Sequence, residues 1–336
     1  MMNLTSIGDL ARGMTLRSRS TEIKSQIETL SYEVSTGKVQ DVSGRLDGDY
    51  SHLLDLDRSL SRLDAFRVST AEAGLFTDAM QLSLTTVSES VTEFASSLLS
   101  FGTSNQAVSH ENASVQARNE LDTIISALNT RAGGRSLFSG VATDVSPLPS
   151  ADTLLGALET ELTGLTTVTD IRQAAEDWFN DPAGFDAVIY QGSDTSLAPM
   201  QISENERVSI PLTATDPAIK DALRDIAVAA LVSDNALNLP SGLRTALFTQ
   251  LGVDLANTQN EIVNLRAQVG AAEARIEQAA TRNSAAQTSL EYSRNELIAA
   301  DPYETAAQLQ TVQFQLESLY SVTVRNANLS LVNFLR

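Results

Sequence analysis

Residues 56–101 read LDRSLSRLDAFRVSTAEAGLFTDAMQLSLTTVSESVTEFASSLLSF. Steps of three and four places alternately meet Leu56, Ser59, Leu63, Phe66, Thr70, Ala73, Thr77, Met80, Leu84, Val87, Val91, Phe94, Leu98 and Phe101. A mostly apolar stripe with a mean spacing of 3.5 keeps one face of an α-helix against a partner, the pattern of a heptad seam. At 1.5 Å per residue this helix is roughly 70 Å long, more than a compact domain can enclose. It therefore needs a partner of similar length.

A second seam of the same regularity supplies one: Leu251, Leu255, Thr258, Ile262, Leu265, Val269, Ala272, Ile276, Ala279, Asn283, Ala286, Leu290, Ser293 and Leu297. Its alanines allow close approach, and Thr258, Asn283 and Ser293 fix register at some cost in stability. Between the seams, residues 106–132 read as a helix with Val108, Val115, Leu121, Ile125 and Leu128 on one face, broken at Gly133 and Gly134. A first helix spans about Thr5 to Ser35, with Ile23, Ile27, Leu30 and Val34 on one stripe and Gly37 as its stop. The last begins at DPYE, where Asp301 caps, Pro302 takes the first helical position and Glu304 follows three residues after the cap.

The character changes after Ser139. SGVATDVSPLPSAD (139–152) has linker composition, and the following segment reads as short strands around turns at Phe185–Tyr190, Met200–Ile202 and Val208–Leu212, with ENE (204–206) as a turn. A helix from Pro217 to Val232 leads back towards the long seams. The expected fold is mainly α: a long antiparallel helical bundle or coiled coil built from the N- and C-terminal segments, with a small α+β insertion in the middle. The expected divisions are 1–40, an N-terminal helix; 41–140, one half of the long bundle; 141–216, the insertion; 217–300, the other half; and 301–336, a C-terminal helix.

The formal charge of −19 argues against a general nucleic-acid binder. Residues 141–240 alone carry a net −12, so the middle reads as a solvated face between two nearly neutral ends. Absence of cysteine excludes thiol catalysis, disulfides and cysteine metal sites. The first residues lack the apolar core of a secretory signal and no run of ~18 apolar residues spans a bilayer, so a soluble chain without membrane insertion is expected.

The motifs that imitate chemistry do not survive inspection. GDLARGMT (8–15) has Met14 where a phosphate loop needs lysine and no strand before it. Asp47, Asp49, Asp55 and Asp57 lack calcium-loop spacing and read as a solvated turn. His52 and His110 have no nucleophile motif nearby and read as surface imidazoles. Trp178 with Phe179 reads as a small core anchor. No catalytic residue, cofactor or metal is expected, and the functional weight falls on the apolar seams.

The last helix carries a stripe of Leu309, Val312, Leu316, Tyr320, Val324, Ala327, Leu331 and Phe334, and further apolar residues off it: Phe314, Leu319, Val322, Leu329, Val332 and Leu335. A helix apolar on several faces needs burial on several sides. The first helix, with Leu4, Ile7, Leu10, Met14 and Leu16, offers one partner, and copies of the molecule offer the others. The candidate contact residues are Ile7, Leu10, Met14, Ile23, Ile27, Leu30, Val34, Leu309, Val312, Leu316, Tyr320, Val324, Leu331, Phe334 and Leu335.

Three segments carry a resemblance. LSYEVSTGK (30–38), NTRAGGRSLFSG (129–140) and ADPYETAAQLQTVQFQLESLYSVTVRNANLSLVNFL (300–335) resemble the flagellin superfamily, and within it the hook-filament junction proteins, hook-associated protein three. In GRSLFSG, Gly134, Phe138 and Gly140 match the junction pattern, where filament flagellins tend towards an asparagine-rich turn. One departure is local: after Lys38 the chain reads VQDVSGRLDGDYSHLL, where the family usually has a Ser-Asp-Asp-Pro type turn. The resemblance implies a non-enzymatic ring-forming subunit at the hook-filament junction of the bacterial flagellum. It also implies export by the type III apparatus with a chaperone, without a cleaved signal. The implied partners are copies of itself, the first hook-associated junction protein and flagellin. The implied terminal helices are disordered in the free monomer and fold on assembly. A filament flagellin is the nearest alternative, and a cytoplasmic coiled-coil scaffold a more distant one.

Overall fold

The computed structural model describes residues 4–102, 107–233 and 237–334, with side chains described between 11 and 325 in these stretches. The order is α1 (Leu4–Thr36), α2 (Val42–Arg45), α3 (Ser51–Phe101), α4 (Ala107–Leu128), β1 (Arg131–Ala132), β2 (Arg135–Ser136), α5 (Ala151–Leu162), α6 (Val168–Asn180), α7 (Phe185–Val188), β3 (Met200–Gln201), β4 (Arg207–Val208), α8 (Pro217–Leu231), α9 (Ser241–Ile298) and α10 (Pro302–Phe334). The fold is mainly α, with two two-stranded antiparallel hairpins among the described residues. It divides into two compact units, residues 1–63 with 285–336 and residues 64–284.

In the second unit α3 and α9 run antiparallel. Gln81 Nε2 donates to Arg266 O at 2.8 Å and Gln259 Nε2 to Ser88 Oγ at 2.8 Å, while Gly252 lies against Leu99, so positions rise on one helix as they fall on the other. Both seams follow the heptads of the sequence: Ala73, Met80, Leu84, Val87, Val91, Phe94 and Leu98 are buried, as are Leu251, Leu255, Ile262, Val269, Ile276 and Ala279. Thr70, Thr77, Thr258 and Asn283 occupy buried seam positions too. The three threonine hydroxyls donate to carbonyls one turn back on their own helices, so they are satisfied without a cross-helix bond.

Helix α4 buries a different face from the one its valines mark. Val108 and Val115 are exposed, and the buried side is His110, Ala113, Ser114, Ala117, Leu121, Ile124 and Leu128. Small residues win because α4 packs against alanine-rich α8, where Ser114 Oγ donates to Ala229 O at 2.9 Å; a valine there would hold the backbones apart. His110 is likewise a core residue, fully buried, with Nε2 3.2 Å from Thr245 Oγ1 and its ring 5.6 Å from that of Phe248. The surface imidazole expected here is corrected: Glu111 and Asn112 beside it are exposed, while His110 itself is turned towards α9.

The 141–216 segment is more helical than its composition promises. Ser150 precedes α5, whose Leu154, Leu155, Leu158 and Leu162 are buried, and Thr167 caps α6 by accepting from Asp170 N. Phe185–Tyr190, expected as a strand, begins with α7: Phe185 stacks on Phe179 at 4.8 Å, and Trp178 meets both rings edge-on. The other two expected strands contribute the pair β3–β4, with Met200 opposite Val208 and Gln201 opposite Arg207.

The GRSLFSG segment has a separate job for each matched residue. Gly133 and Gly134 both have positive φ, 56° and 79°, and make the two-residue turn of the β1–β2 hairpin. Phe138 is fully buried, and its carbonyl accepts from Ala214 N and Tyr190 Oη. Gly140 has φ 59° and lies against the carbonyls of Ser193 and Thr195, where no side chain fits.

Candidate assembly surface

The first unit is built by α1, α2, the start of α3, the end of α9, and α10. Helix α1 stops as its sequence dictates: Gly37 takes φ 66° and its N–H donates to Glu33 O at 2.8 Å. The chain then bridges to the α9–α10 junction, with Val39 N donating to Ile298 O and Ala300 N to Gly37 O. The segment after Lys38 forms α2, capped by Asp41 accepting from Gly44 N at 3.0 Å, and leaves through Asp47 and Gly48 at positive φ. Asp49 accepts from Ser51 N and Oγ, which holds its carboxyl below the usual range, so these acids shape a helix start. Further along, Arg294 on α9 pairs with Asp57 on α3 at 2.7 Å.

Asp301 caps α10 as expected, its Oδ1 accepting from Tyr303 N at 2.9 Å and Glu304 N at 3.1 Å. Helices α1 and α10 then pack antiparallel, joined at one end by the Gly37–Ala300 bond, and further along Lys24 Nζ of α1 stands 6.0 Å from the Tyr320 ring centre of α10. Ile23 is buried and Ile27 and Leu30 half-buried on α1; Leu309, Val312, Leu316 and Leu319 are half-buried on α10. The candidate residues Ile23, Ile27, Leu30, Leu309, Val312 and Leu316 thus form one seam. It continues through Leu319, which the sequence stripe leaves aside in favour of Tyr320, because the step from Leu316 is three places and not four.

Four more of the candidate set, those with described side chains, are exposed. Met14 is 62% exposed, Val34 43%, Tyr320 46% and Val324 59%. Phe314, at 69%, and Val322 are exposed off the stripe, and Tyr32 and Tyr303 add two aromatics absent from the candidate set. Ile7, Leu10, Leu331 and Phe334 lie on α1 and α10 beyond the described side chains, and Leu335 lies outside the described residues. The two helices also leave an open groove of about 800 Å³, in which Leu30, Ala307 and Val312 stand among polar side chains.

Each terminal helix therefore has one face against its neighbour and large apolar side chains left on others. Thr21, Ser35 and Thr36 on α1 and Thr311 and Thr323 on α10 direct their hydroxyls to carbonyls three or four residues back, which lowers the polarity they present to a partner. Among the described residues no group of three or more histidines, cysteines or carboxylates is placed to hold a metal ion, and no helix is long and apolar enough to cross a membrane.

Residues 252–335 match the model of the bacterial flagellin C-terminal helical region. Among solved structures the chain is similar to one described as a flagellar hook-associated protein from Vibrio parahaemolyticus: TM-score 0.54, 15% identity, covering 75% of this chain and 99% of that one. It is also similar to Bacillus cereus FlgL, with TM-score 0.52, 15% identity, and 72% and 100% of the two chains covered. A comparison with curated proteins gave no match. The flagellin-superfamily resemblance is borne out by the family match over residues 252–335, and the fold is shared with the two solved structures.

Proposed function

We propose that this chain is a structural subunit of the bacterial flagellum that joins hook to filament, forming a ring through its terminal helices. One observation carries the reading: α1 and α10 pack on a single seam and leave Met14, Phe314, Tyr320, Val322 and Val324 uncovered. Apolar groups at this density are stabilised by burial against further copies, and a closed ring covers them all. In this reading residues 1–40 and 301–336 build an inner wall and the acidic 141–216 segment faces outward. The partners are copies of the chain, the first hook-associated junction protein on one side and flagellin on the other, reached after export with a chaperone through the type III apparatus. The protein acts outside the cell and catalyses no reaction.

A filament flagellin has the same terminal logic, and the match of residues 252–335 to the flagellin C-terminal region fits it equally. The Gly134–Phe138–Gly140 turn favours the junction. Deleting the gene in its host separates the two. A junction subunit predicts cells that keep hooks, lose swimming and shed unpolymerised flagellin into the medium. Hooks bearing normal filaments with full swimming would overturn the junction reading, and loss of flagellin itself would make the chain the filament subunit.

A further inference from the structure

The β3–β4 hairpin is bonded to both long helices at one level of the second unit. From α3, Ser69 Oγ donates to Gln201 O at 2.6 Å. From α9, Asn283 Nδ2 donates to Ile202 O at 2.8 Å, although Asn283 occupies a seam position and is buried. Ile202 and Val208 bury their side chains completely, while Glu206 at the turn accepts from Arg282 and lies 3.6 Å from Arg275, one heptad earlier on α9. Arg275 also donates to Arg207 O at 3.2 Å. The two carbonyls taken by Ser69 and Asn283 belong to consecutive residues. The boundary between the units falls just past Asn283 and six residues before Ser69.

A seam asparagine ordinarily weakens a helix pair and specifies register by bonding across it. Here its amide bonds a third element, so the polar position is explained by the hairpin. We propose that the 200–208 hairpin is a clasp: reaching across 132 residues of sequence to Ser69 and 81 to Asn283, it holds α3 and α9 together at the end of the second unit and sets how far the pair opens there. The clasp gives the acidic insertion a mechanical role, since release of the hairpin loosens the helix pair beneath it. Glu206 with two arginines makes the clasp partly electrostatic and half open to solvent, so it loosens with salt.

Hydrogen exchange on the full chain tests this. In a Ser69→Ala, Glu206→Gln double variant, amides of residues 64–80 and 270–284 are expected to exchange about tenfold faster, with α4 and α8 at wild-type protection as the control for folding. Faster exchange confined to 200–208 would overturn the proposal, because the hairpin would then be a passenger. Asn283→Leu provides the second arm. It fills the seam with an apolar side chain, so a seam-only role predicts equal or higher protection throughout, whereas a clasp predicts that 200–208 and the facing α3 segment 64–80 lose protection together. Unchanged protection of 200–208 in this variant would also overturn the proposal.

Discussion

At Gly140 the backbone is left-handed, and the space a Cβ would take is filled by the carbonyls of Ser193 and Thr195, neither of which can swing away. Gly134 is left-handed too, but its Cβ would meet open space. The two glycines therefore separate the cost of conformation from the cost of contact. Gly134→Ala is expected to lower stability by about 1 kcal/mol, and Gly140→Ala by about 3 kcal/mol or more, read from urea midpoints. Equal effects would mean that the loop around Ser193 yields. The sequence displayed both glycines plainly, yet it could not distinguish them: positive φ follows from a local turn, whereas the contact at Gly140 comes from residues fifty positions away.

Where α6, α8 and α9 meet, charge is buried in a way that ties stability to pH. Asp225 on α8 is almost fully buried; Arg224 Nε donates to its Oδ1 at 2.8 Å, and its Oδ2 has no hydrogen-bond partner among the described residues. Nearby, Arg172 on α6 pairs with Asp254 on α9 at 2.6 Å, and Asp221 also pairs with Arg224. Burial pushes the Asp225 carboxyl up to about 7, against the opposing pull of Arg224 and with help from Asp254 and Asp221. The folded state then holds this proton more tightly than the unfolded chain, so the group's stabilising contribution is full below the unfolded value of 3.8 and is lost as pH rises through about 7. Raising pH from 5 to 8 is expected to lower the urea midpoint more in the wild type than in Asp225→Asn. Parallel pH profiles for the two would contradict it. Elements differed in how far the sequence revealed them. The α3 and α9 seams were legible to the residue as far as Asn283, because a heptad over many turns has one solution. Past that point Ala286 is exposed and Leu290 half-buried, so the pattern outlives the tight packing. The face of α4 was misread because Val108 and Val115 dominate by size, while close packing on α8 rewards alanine and serine. Helices α5 and α6 were hidden by their short length between loops rich in proline, serine and glycine, although Leu154, Leu158 and Leu162 repeat at a helical spacing of four.

For the whole molecule, the terminal helices divide their apolar residues between an intramolecular seam and an uncovered surface. The sequence showed that one face could not hold them all. Which residue falls on which side, as with Leu319 inside and Tyr320 outside, depends on the α1–α10 register and needed the structure. Exposed residues of this kind are separable from folding, since replacing them removes little buried area. The most direct measurement is complementation in a host lacking the gene, using a chain with Phe314→Ser, Tyr320→Ser and Val324→Ser whose thermal midpoint is first compared with the wild type. An unchanged midpoint with no swimming and flagellin shed into the medium is the predicted result. Full restoration of swimming by this variant would contradict the claim that the uncovered faces of the terminal helices are the contacts through which the subunit assembles.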